Sequence, residues 1–82
     1  MHVPTIHPKG TPRDELYGQL RDAVDVLTAA LDMMRRAEPV ARDYAPQGAG
    51  AFEAAHREHV DRVARVESAA LELVAIARAI GT

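Results

Sequence analysis

Glu53, His56 and His59 recur at three-residue intervals, a spacing that brings side chains together on one side of a helix. Glu-x-x-His is the ligand pattern of di-iron carboxylate bundles, and two imidazoles three apart can share a metal ion. Such a centre also needs carboxylates facing inward from a second helix. The other helical stretch has none on its apolar seam, since Asp25 and Asp32 only flank it. The expectation is therefore no metal and no cofactor, with Glu53, His56 and His59 as the alternative ligands. The plainer reading sets both histidines at the open end of a helical bundle, half solvated or hydrogen-bonded across an interface.

Other reactive constellations are missing from the sequence. No Ser/His/Asp, Cys/His or paired-carboxylate arrangement has supporting context. Gly48 and Gly50 lack the Gly-x-x-x-x-Gly-Lys form of a phosphate loop. With no Cys, neither a disulfide framework nor a thiolate metal site is available. Glu67 borders an apolar seam and reads as the partner of an Arg across an interface rather than as a catalytic base. The chain is not expected to be an enzyme.

These residues sit on two long helical patterns. The clearer one runs from Phe52 to Ile80. Phe52, His56, His59, Val63, Val66, Ala70, Leu73, Ala77 and Ile80 alternate spacings of four and three along one seam. Val60, Ala64, Leu71 and Val74 add a second apolar row. Arg57, Glu58, Asp61, Arg62, Arg65 and Glu72 occupy the far side, and Glu58–Arg62 and Asp61–Arg65 have the favourable acid-first order. The earlier pattern holds Tyr17, Leu20, Val24, Leu27, Leu31 and Met34, beside Leu16, Ala23, Ala30 and Ala37. Small Ala residues at sevens permit close helix approach.

Boundaries follow from local chemistry. Pro4, Pro8 and Gly10 make 1–11 an extended arm. Thr11 is placed to cap, Pro12 suits a first helical position, and Asp14 and Glu15 suit the positive end of a helix dipole. Pro39 should stop that helix near Glu38. Two Pro and two Gly mark 39–50 as a loop with room for a helical turn at 40–44. Gly81 reads as the residue after the last helical turn. The expected domain is thus a helical hairpin over 12–82, with helices at about 12–38 and 51–80 joined by the 39–50 loop.

An all-α antiparallel two-helix hairpin of 82 residues has apolar faces wider than one partner covers. Association into a helical bundle follows, with a dimeric four-helix bundle the simplest form and a higher ring the alternative. No apolar run approaches the ~20 residues of a membrane span, and no signal peptide is expected. Net charge is −2 with both signs interspersed, which argues against DNA or RNA as a partner.

The stretch from Ile6 through His7-Pro8-Lys9-Gly10, Tyr17 and Leu20-Arg21 to Ala23 resembles the opening of a known family. These are the small phage-encoded helical-hairpin proteins that sequester cyclic nucleotide signals of bacterial immunity, the anti-CBASS and anti-Thoeris sponges. Val66-Glu67-Ser68-Ala69 and Ile76-Ala77-Arg78 are loosely similar to the family's closing segments. Glu72 and Leu73 stand where the family's pattern has an aromatic–Asn pair. The resemblance implies sequestration of a cyclic di- or trinucleotide, or a cyclic ADP-ribose-type signal, without cleavage. It implies a cytoplasmic setting, that of the host cell for a phage-encoded member. It marks His7, Lys9, Tyr17, Arg21 and Arg78 as ligand-binding residues. Arg and Lys suit phosphates and Tyr offers a stacking face to bases. Without the resemblance, Tyr17 is a seam residue, Arg21 a solvated helical charge and Lys9 an arm charge. A protein–protein adaptor that docks through its apolar seam is the other non-enzymatic reading.

Overall fold

A computed structural model describes residues 1–81; Thr82, the last residue of the expected hairpin, lies outside the described residues. The elements in order are α1 (Arg13–Arg36), α2 (Ala41–Tyr44), a 3₁₀ turn (Ala45–Gln47) and α3 (Ala51–Gly81). Among the described residues there is no strand.

Helix α1 starts one residue later than expected. Pro12 is its N-cap rather than its first helical residue, with extended backbone (φ −56°, ψ 145°) and a carbonyl that accepts from the Leu16 N–H at 3.0 Å. Thr11 therefore lies one position too early, and no side chain caps the helix. At the other end α1 stops at Arg36, two residues short of the expected Glu38. Ala37 closes it with a shared N–H to the Met33 and Met34 carbonyls, both at 3.1 Å. The physical cause is Pro39, which disfavours helical backbone at the residue before it.

The connection is more structured than a plain loop. Past Pro39 the chain re-enters helix as α2, then tightens into the 3₁₀ turn around Pro46. Gly48 (φ 97°) and Gly50 (φ 86°) reverse the chain with backbone that L side chains resist. Helix α3 keeps Gly81 within its last turn instead of ending before it.

The two long helices pack on each other, with α1's first turns against α3's last and α1's last turn against α3's first half. The core between them is thin. Leu31, Ala70, Ala77 and Ile80 are buried, and no described side chain is sealed from solvent. The molecule measures 61 × 21 × 18 Å. Its accessible surface is 6186 Å², against about 4,800 Å² for a globular monomer of 8.9 kDa. Val26 and Met33 on α1, and Val60 and Leu71 on α3, remain exposed.

Candidate functional site

The end where α1 begins and α3 finishes carries the strongest concentration of recognition chemistry. Arg13, Tyr17 and Arg21 are spaced by four, so they form one strip along α1. Arg78 comes to this strip from the last turn of α3. Tyr17, Arg21, Val24, Val74, Ala77 and Arg78 line one hollow, and Arg13, Asp14, Tyr17, Ala77, Arg78 and Gly81 line its neighbour of about 330 Å³. Both helices line these hollows, with the small residues Ala77 and Gly81 on the α3 side. Tyr17 is 41% exposed.

Guanidinium groups outnumber carboxylates among the described residues lining this end. Among the described residues, Arg13, Arg21, Arg78 and the carboxylate of Asp14 line the two hollows. The positive dipole end of α1 and the negative dipole end of α3 meet here, so the side chains rather than the helix dipoles decide which charge is favoured. Guanidinium forks fit phosphate oxygens in pairs, which an ammonium group cannot do.

Of the residues expected to bind ligand, Tyr17, Arg21 and Arg78 come together. His7 and Lys9 do not line either hollow. They belong to a tight turn before α1, closed by the Gly10 N–H donating to the His7 carbonyl at 3.1 Å. The His7 ring lies over Gly10, where an added Cβ would be 2.8 Å from Nε2. Arg13 is the residue that sequence reasoning missed. Its signal was available in the spacing of four that joins it to Tyr17 and Arg21.

The histidine pair lies at the opposite end. His59 is half-buried, and its Nε2 sits 2.8 Å from the Met34 carbonyl, to which a protonated Nε2 donates. His56 is exposed and its ring lies tilted against Phe52, with centroids 6.0 Å apart and planes at 43°. Among the described residues no three His, Cys, Asp or Glu side chains converge as a metal would require, so Glu53, His56 and His59 form no such cluster. Glu67 approaches Arg35 of α1 at 3.8 Å, and Arg35 also pairs with Asp32 at 3.2 Å.

Among the described residues no helix is long and apolar enough to cross a membrane. No protein-family model matches the chain, and no curated protein or solved structure matches it either.

Proposed function

We propose that this chain is a self-associating helical hairpin that captures a cyclic oligonucleotide signal, or a related cyclic nucleotide, without cleaving it. One observation carries the reading: Tyr17, Arg21 and Arg78 line a single hollow, although Arg78 lies far from the others in sequence. A cyclic nucleotide presents clustered phosphates beside flat bases. The arginines take the phosphates and Tyr17 takes a base on its ring. Stacking of that kind contributes about 1–3 kcal/mol per base, and a hydrogen bond to a charged group about 1.5–3 kcal/mol. The resemblance at Ile6–Ala23 narrows the class from anions in general to immune cyclic nucleotides.

Calorimetry against cyclic di- and trinucleotides and cyclic ADP-ribose isomers tests the reading. At least one should bind below about 10 μM, and Tyr17→Ala and Arg21→Ala should each weaken it roughly tenfold or more. A panel without a binder, or variants that bind like the parent protein, overturns it. The adaptor reading, which the exposed Val60 and Leu71 side chains favour, would then lead.

A further inference from the structure

The Tyr17–Arg21–Arg78 hollow does not end at Val24 and Val74. Both residues also line the next hollow, with Thr28, Leu31, Ala70 and Leu71 around it. That hollow shares Glu67 with a third, which runs past Val60 and Val63 to Glu38 and His56. One groove therefore follows the whole helix pair on a single side. Its α1 wall is Arg21, Val24, Thr28, Leu31 and Arg35, spaced by threes and fours and sharing Val24 and Leu31 with the central seam, and Glu38 follows just past the end of the helix. The middle is apolar. Thr28 turns its hydroxyl inward to the Val24 carbonyl at 2.8 Å, so its polar atom is satisfied without solvent. Leu71, at the centre, is 68% exposed.

We infer that a second copy of this chain covers the groove, related by a two-fold axis that passes between Thr28 and Leu31 at right angles to the helices. The inference deepens the self-association proposed above and is independent of the ligand. Area permits a second copy. The surface in excess of a globular monomer is about 1,400 Å², and a standard interface removes about 800 Å² from each partner. Charge sets the orientation. One end of the groove carries Arg21 and Arg78, and the other carries Glu38 and Glu67 with Arg35. A parallel pair would set Arg21 against Arg21. The perpendicular axis instead sets the Arg21 end of each copy against the Glu38 end of the other. Such rim charges choose the register, while the apolar middle supplies the affinity.

The chain has no Cys, which makes engineered disulfides unambiguous. Light scattering at micromolar concentration should give a dimer or a multiple of it, and a monomer overturns the inference at its root. Under mild oxidation Leu71→Cys should join to itself, and Arg21→Cys should join Glu38→Cys when the two are mixed. Arg21→Cys crosslinking to itself in preference to Glu38→Cys would contradict the axis. Arg21→Glu should weaken association, and adding Glu38→Arg should restore it; failure of the double variant to recover overturns the pairing. Leu71→Asp, at a position exposed in the single chain, should keep its helicity and raise the dissociation constant roughly tenfold or more. Unchanged association in that variant would place the interface elsewhere.

Discussion

The Tyr17 ring lies so close over Gly81 that a Cβ on Gly81 would stand 2.9 Å from its Cε2 atom. That contact ties the first turns of α1 to the last turn of α3 and sets the tilt of the ring in the candidate site. Here glycine is needed for space. Gly81→Ala should push the ring off α3, shift the near-ultraviolet circular dichroism of tyrosine and weaken nucleotide binding, with far-ultraviolet helicity retained. An unchanged tyrosine signal would mean the ring is not held by this contact.

Gly18 offers the opposite case. It lies inside α1, and a Cβ there would meet nothing within 4 Å. Gly18→Ala should therefore raise stability by about 0.5–1 kcal/mol through helix propensity alone. Urea unfolding at fixed protein concentration checks it. A destabilised variant would contradict the open surroundings of Gly18.

Leu31 is 7% exposed and is α1's one buried side chain. Leu31→Ala should cost about 2–5 kcal/mol, a large share of what so thin a core provides. Thermal unfolding that moves by only a degree or two would contradict the packing described.

The His59 ring holds the Met34 carbonyl at 2.8 Å. That carbonyl also accepts from the Ala37 N–H, so losing His59 leaves it partnered. His59→Ala should cost about 1 kcal/mol, the typical net worth of one hydrogen bond. Because that nitrogen is engaged and no three-ligand cluster stands among the described residues, zinc should not raise the melting temperature. A zinc-dependent rise lost in His56→Ala would reverse this.

The helical architecture was legible because one physical signal dominates. Apolar residues at threes and fours from Phe52 to Ile80 suit only a helix with a buried face, and α3 spans Ala51–Gly81. Ends were less legible, since they depend on which residue happens to close the backbone. Pro12 took the cap position expected of Thr11, and Pro39 ended α1 at Arg36, two residues before the expected Glu38. Convergence was hardest to read. Nothing local to Arg78 says that it will face Tyr17; only the relative register of α1 and α3 decides it. The same register brings Glu67 to Arg35, a partner that its seam-bordering position suggested without naming. His7 and Lys9 had no periodic element to fix them, and the turn at Gly10 keeps them out of the hollow.

The central claim is capture without cleavage, and the small-molecule content of the protein tests it most directly. The chain should be purified from bacteria that run a cyclic-nucleotide immune system, denatured by heat, and the supernatant read by mass spectrometry. The account predicts an intact cyclic nucleotide near stoichiometry with its binding sites, and none from the Tyr17→Ala/Arg21→Ala double variant. An empty supernatant from the parent protein, or linear products in place of the cyclic ligand, would contradict it.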